Sequence, residues 1–100
     1  MRESFIEGKV CDYAKANGWV VYKFSSPSCR GVPDRIFLKD GSVFFIEFKA
    51  TGGKVTKLQR AVHIRIESKG IKVYVVDDIE IGKGIVDGQE RFARIPNKGV

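Results

Sequence analysis

Three of the charged residues in the most apolar part of this chain are spaced to act together. Asp34 stands just before the run Arg35 to Lys39, and Glu47 and Lys49 lie at the end of the run Val43 to Lys49. The second run is rich in aromatic and β-branched residues, so its side chains alternate between the two faces of a strand. Glu47 and Lys49 then share one face, roughly 6.5–7 Å apart along the strand. Asp40-Gly41, between two hydrophobic runs, is a hairpin-turn signal. An antiparallel hairpin brings Asp34, at the start of one strand, beside Glu47, near the end of the next. Two carboxylates and an ammonium thus converge at one end of a sheet. Paired carboxylates suit a hard divalent cation such as Mg²⁺, which usually also holds substrate phosphates. The plainer reading is a Glu47–Lys49 ion pair at an exposed sheet end. Asp34 opposite favours the site, because charges on so apolar a strand are costly unless paired or bound to metal.

The elements that must position these groups follow from periodicity. Residues 4–17 read as a helix, with Ile6, Val10, Tyr13 and Ala14 as one apolar stripe. Ser4-x-x-Glu7 has the form of a capping box, and Asn17-Gly18 of a C-terminal stop. Glu7 borders the buried face, and capping is its structural explanation. Trp19 to Phe24 reads as a short apolar strand. The loop Ser25-Ser26-Pro27-Ser28-Cys29-Arg30-Gly31 follows. Its hydroxyls, amides and Arg30 can hold a phosphate, or it simply connects two strands. Pro33 belongs at a strand's first residue, where no ladder donor is needed.

On the strand from Val43, the residues Phe44, Ile46 and Phe48 should pack on helices, with Glu47 and Lys49 on the opposite face. Thr56-x-x-Gln59 opens a second helix as a capping box. Leu58, Val62 and Ile66, with Ala61, form its expected buried stripe. Lys57, Arg60 and Arg65 face outward, and the helix stops at Lys69-Gly70. His63 is the single histidine; without a nucleophile or metal-ligand spacing around it, it reads as a surface or packing residue. Lys72 to Val76 reads as a strand buried in the sheet. Beyond Asp77 the signal weakens: Ile79, Ile81, Ile85 and Val86 could line a short helix, but Gly82 and Gly84 argue against it. Phe92 to Ile95 reads as a last extended segment and Pro96 to Val100 as a frayed tail. The order helix, three strands, helix, strand predicts an α/β domain with a mixed central sheet flanked by helices.

One hundred residues make one domain with one modest core, marginal in stability. The net charge of +6, from 18 basic and 12 acidic residues, fits a polyanionic partner or, more blandly, a basic domain with solvated lysines. Cys11 and Cys29 lack metal-site spacing, and their placement in a helix and a loop favours free thiols of a reducing compartment. The polar, acidic N-terminus is no signal peptide, and no apolar run approaches the ~20 residues that span a bilayer. A cytoplasmic protein with no membrane partner is expected.

Pro33-Asp34 on one strand and Glu47-Phe48-Lys49 on the next resemble the PD-(D/E)xK nuclease superfamily and its restriction-endonuclease-like core. Its VRR-NUC branch is resembled more closely still, through Gly31-Val32-Pro33-Asp34-Arg35, Phe45-Ile46-Glu47-Phe48-Lys49-Ala50, the Gly52-Gly53 turn, and Leu58-Gln59 heading the next helix. Glu7 matches the acidic residue on that branch's first helix. The likeness covers about residues 4–76, leaving 77–100 as an extension of a single 1–100 nuclease domain. Small stand-alone members occur in phages and bacteria, and this chain looks like one.

The resemblance implies metal-dependent hydrolysis of phosphodiester bonds, leaving a 5′-phosphate and a 3′-hydroxyl. It implies Glu7, Asp34, Glu47, Lys49 and Gln59 as catalytic residues. Asp34, Glu47, the Phe48 carbonyl and Glu7 are the implied ligands of Mg²⁺ or Mn²⁺. Ser25, Ser26, Arg30, Arg35, Lys54 and Lys57 are expected on DNA. Likeness to Holliday-junction resolvases implies a homodimer acting on branched DNA in a bacterial cell or phage-infected host. The alternatives are a nucleic-acid-binding domain that keeps the nuclease fold without the chemistry, and an assembly protein that uses its sheet edge.

Overall fold

The computed structural model describes residues 1–94, with side chains through Gln89. Its elements are α1 (Glu3–Ala16), β1 (Val20–Lys23), β2 (Arg35–Lys39), β3 (Ser42–Phe48), α2 (Lys57–Glu67), β4 (Lys72–Val76) and α3 (Ile79–Arg94). The strands lie side by side in chain order. β1, β2 and β3 meander antiparallel, and α2 crosses over so that β4 runs parallel to β3. The expected mixed α/β sheet is therefore the one found.

Local chemistry explains the β2–β3 hairpin. Lys39 pairs with Ser42, leaving the two-residue turn Asp40-Gly41 with φ of +47° and +83°. Such a turn matches the strands' own twist, and Asp-Gly is one of the pairs that favour it. The turn sets the register Arg35↔Ile46, which brings Asp34 level with Glu47.

The two faces of the sheet are covered differently. On one, Ile6, Val10 and Ala14 of α1 and Val86 of α3 close over Phe37, Phe44, Ile46, Phe48 and Val76, all fully buried. Phe37 and Phe44 stack at 4.7 Å, and Trp19 meets Phe44 edge-on at 5.1 Å. Alternation along β3 sends Phe45 and Glu47 to the other face, beneath α2.

Three expectations are corrected. The Ser4–Glu7 capping box does not form: the cap residue is Arg2, with no side-chain bond, and Glu7 is drawn instead to Arg35. β4 is an edge strand, so only Val76 is buried and Val75 is 44% exposed. Gly82 and Gly84 do not prevent a helix, since α3 runs to Arg94 and replaces the expected extended segment over Phe92, Phe92's successors to Arg94 included. Asp78 caps its first turn by accepting from the Ile81 N–H at 3.0 Å. A Cβ on Gly82 would stand 2.5 Å from Val10 Cγ2 and 3.1 Å from Val76 Cγ1. The missing side chain is what lets α3 lie against α1 and β4, so packing outweighs its helix propensity of about 1 kcal/mol. Ile79, Ile85 and Val86 reach the core as expected, while Ile81 is 57% exposed. Ile95 and the tail Pro96 to Val100 lie outside the described residues. Among the described residues, no helix is long and apolar enough to cross a membrane.

Candidate active site

Asp34 enters the sheet by its main chain: its N–H donates to Ile46 O at 3.1 Å, and its carbonyl accepts from the Phe24 N–H at 2.8 Å. The side chain is then clamped from β3, where the Phe48 N–H donates to Asp34 Oδ2 at 2.7 Å. Phe48 thus borders the site by its main chain, while its ring is buried in the α1 face. Gly31 sets the approach to Asp34. Its φ is +89°, and a Cβ there would press on Leu58 and Val62 of α2 at 3.1–3.3 Å. Only glycine lets the loop pass so close to α2 in that conformation.

Glu47 is 3% exposed. Its Oε2 is held by Lys49 Nζ at 3.4 Å and by the Gln59 amide, which donates from Nε2 at 3.2 Å. Gln59 is pinned at its other end too: its Oε1 accepts from the Thr56 N–H, and Thr56 Oγ1 accepts from the Gln59 N–H. The predicted capping box is therefore also the strut that reaches the carboxylate. Glu47 Oε1 has no hydrogen-bond partner among the described residues. Burial, then the charge of Asp34, pushes the Glu47 carboxyl up to about 7, and Lys49 only partly offsets this. Burial also raises Asp34, against the Phe48 N–H that favours its charged form.

Glu7 stands at the margin. Its Oε2 accepts from Arg35 Nε at 2.7 Å, although it is near enough for its charge to raise Asp34 further. Arg35, expected on DNA, is thus engaged with Glu7. Ser25 and Arg30 are exposed in the β1–β2 loop. Ser26 lines a groove of about 630 Å³ with Phe24, Val32, Phe45, Arg65 and Lys69. Lys57 is exposed at the start of α2, and Lys54 lines a cleft of about 380 Å³ beside Arg60 and His63.

The reading of α2 requires one correction. Its inner residues are Gln59, Val62, His63 and Ile66; Leu58 is 51% exposed and Ala61 is exposed. The helix is turned so that two polar side chains one turn apart face the sheet. His63 is buried, 6% exposed, with Nε2 3.8 Å from Glu47 Oε1. Of the two readings, surface or packing residue, burial selects the second; phasing the helix on Gln59 puts His63 four residues on, on the same face.

Among the described residues, no three His, Cys, Asp or Glu side chains converge as a ready cation cage. The donors nonetheless fit a hard cation: two oxygen ligands sit together, one with a buried, unpartnered oxygen and a carboxyl that resists ionising alone. The thiols are different. Cys11 is buried, which pushes it up to about 11, and both cysteines are free.

No family model matches the chain. It is 39% identical over 82 residues to a protein named "Putative nuclease p44" of Acyrthosiphon pisum secondary endosymbiont phage 1, spanning 81% of this chain and 88% of that protein. Its fold is similar to a solved structure described as "VRR_NUC domain", with a TM-score of 0.78 and 25% identity over 85% of this chain and 94% of the other.

Proposed function

The chain belongs to the VRR-NUC family of nucleases, within the PD-(D/E)xK superfamily, and from that premise we propose that it is a divalent-cation-dependent endonuclease of DNA. The observation that carries the reading is the corner of Asp34, Glu47 and Lys49, where two carboxyls that resist ionising stand beside an ammonium. Asp34 and Glu47 would hold Mg²⁺ or Mn²⁺, with the Phe48 carbonyl as a main-chain ligand and Glu7 as a further one once Arg35 releases it. When bound, the cation neutralises charge on the scissile phosphate and makes adjacent water more acidic.

The chain's own residues supply the rest. Lys49 is a preorganised cation for the negative charge that builds on the phosphate in the transition state. Gln59, pinned to the helix cap, keeps the Glu47 carboxylate in place instead of exchanging protons. In this reading Arg30, Lys54 and Lys57, with the hydroxyls of Ser25 and Ser26, hold neighbouring phosphates, and Arg35 joins them if it leaves Glu7. The net charge of +6 attracts the polyanion over a longer range.

The preferred substrate in this reading is branched DNA such as a four-way junction, cut by a homodimer in the cytoplasm of a bacterial cell or phage-infected host. Residues 1–100 act as one nuclease unit. One fact supports the pairing: Val20 and Tyr22 leave apolar surface 45% and 61% exposed on the edge strand β1. The second reading, a DNA-binding domain without chemistry, is favoured by one observation, the commitment of Glu7 to Arg35.

A cleavage assay separates them. Labelled duplex, flap, fork and four-way junction are offered with EDTA, Mg²⁺ or Mn²⁺, and with Asp34→Ala alongside. Cutting that needs metal and is lost in Asp34→Ala is expected, with paired symmetric nicks in the junction. Salt-sensitive binding without cutting by the wild type would leave the binding domain as the reading.

A further inference from the structure

Two buried polar atoms face each other at the back of the site. His63 Nε2 and Glu47 Oε1 are 3.8 Å apart, and neither has a hydrogen-bond partner among the described residues. Buried polar atoms are nearly always paired. Two that remain unpaired in the same place call for a reason beyond packing, since an apolar side chain would fill the space beside Val62 without the desolvation cost. The gap is about 0.9 Å longer than an ordinary N–H···O hydrogen bond and too short for a water between. A small rotation of either group closes it. The imidazole donates from Nε2 in its Nε2–H tautomer.

The other carboxylate oxygen is already held, by Lys49 and by the strut of Gln59. Gln59 and His63 project from the same face of α2 one turn apart, and that helix is anchored at its start by the Thr56 cap. We propose that His63 is a positioning residue for Glu47: it grips Oε1 while Gln59 and Lys49 grip Oε2, so that α2 orients the carboxylate from both sides for a divalent cation. The assignment rests on the cation-binding reading of Asp34 and Glu47. Groups that orient metal ligands in this way generally matter about 10–100-fold in metal affinity.

The test is calorimetric titration of Ca²⁺ into the intact protein without DNA. His63→Met, which fills the space without a donor, should bind Ca²⁺ about 10–100-fold more weakly than wild type. His63→Gln, which restores a donor at similar reach, should recover most of that loss. Val62→Ala, which loosens the same helix face and removes no polar group, should bind like wild type. In the unmutated protein, the ring nitrogens of this single histidine should shift in a ¹⁵N spectrum when Ca²⁺ is added, a readout that needs no variant to fold. Unchanged Ca²⁺ binding by His63→Met, a Val62→Ala loss as large as that of His63→Met, no rescue by His63→Gln, or an unmoved ¹⁵N spectrum would overturn the role of His63 while leaving the nuclease reading intact. A wild type that binds no divalent cation would overturn both.

Discussion

The two faces of the sheet are built on opposite principles. Under α1 and α3, the side chains Phe37, Phe44, Ile46, Phe48, Val76 and Val86 are fully buried and apolar, and their rings interlock. Under α2, the buried residues include Glu47 and His63, two of their polar atoms are unpartnered, and an open groove runs alongside. β3 serves both, with alternate residues pointing each way. Most of the buried apolar surface therefore lies on one face, and a polar cluster with unpartnered atoms is tolerated on the other. Such separation is how a small domain can carry a site that opposes its own stability.

Substitutions on the two faces should divide accordingly. Asp34→Ala should lower cleavage by on the order of 10³-fold or more, beyond the 10²–10³ typical of losing one charge-stabilising group, with the folded fraction by circular dichroism unchanged. Phe44→Ala should do the reverse, costing about 3–5 kcal/mol in chemical denaturation while any protein still folded keeps its cutting specificity. A Phe44→Ala protein as stable as wild type would break the contrast between the faces.

The acid–base balance of the α2 face gives a smaller, signed effect in EDTA. Glu47 titrates at about 7 when folded against 4.5 as its ordinary value. The folded state therefore binds more protons between those values, and this contribution to stability is lost as pH rises through about 7. Asp34 adds in the same direction; His63, lowered by burial, works against it at low pH. The net fall should be on the order of 1–3 kcal/mol, and Glu47→Gln should flatten it in denaturation curves taken across that range. Smallest is Thr56→Ala. Losing the hydroxyl cap should cost about 1 kcal/mol, and cleavage should fall little beyond that, because the Thr56 N–H still holds Gln59 Oε1.

Much of this arrangement was legible in the chain. The Asp40-Gly41 turn, the alternation of Phe44, Ile46 and Phe48, the Thr56–Gln59 capping box and the placing of Asp34 beside Glu47 all depend on residues within one or two adjacent elements. Their rules are steric and local, so spacing alone conveys them. The missed features depend on what lies across the fold. Apolar content favours phasing α2 on Leu58, with Ala61, Val62 and Ile66, over a face of Gln59, Val62, His63 and Ile66; the folded helix turns Gln59 and His63 inward all the same, onto the Glu47 carboxylate. Glu7 could cap its own helix, but Arg35, 28 residues away, offers a charged partner at 2.7 Å that a cap cannot match.

Gly82 marks the same boundary. Its propensity argues against helix, yet the space between Val10 and Val76 admits no side chain, so contact with two other elements settles the matter. By itself the sequence determined the strands, the hairpin register and the carboxylate pair, because backbone sterics and alternation act over a few residues. Tertiary structure alone decided which side of α2 is inside, where Glu7 spends its charge, and that α3 is a helix, because burial and pairing depend on groups that the chain brings together only when folded.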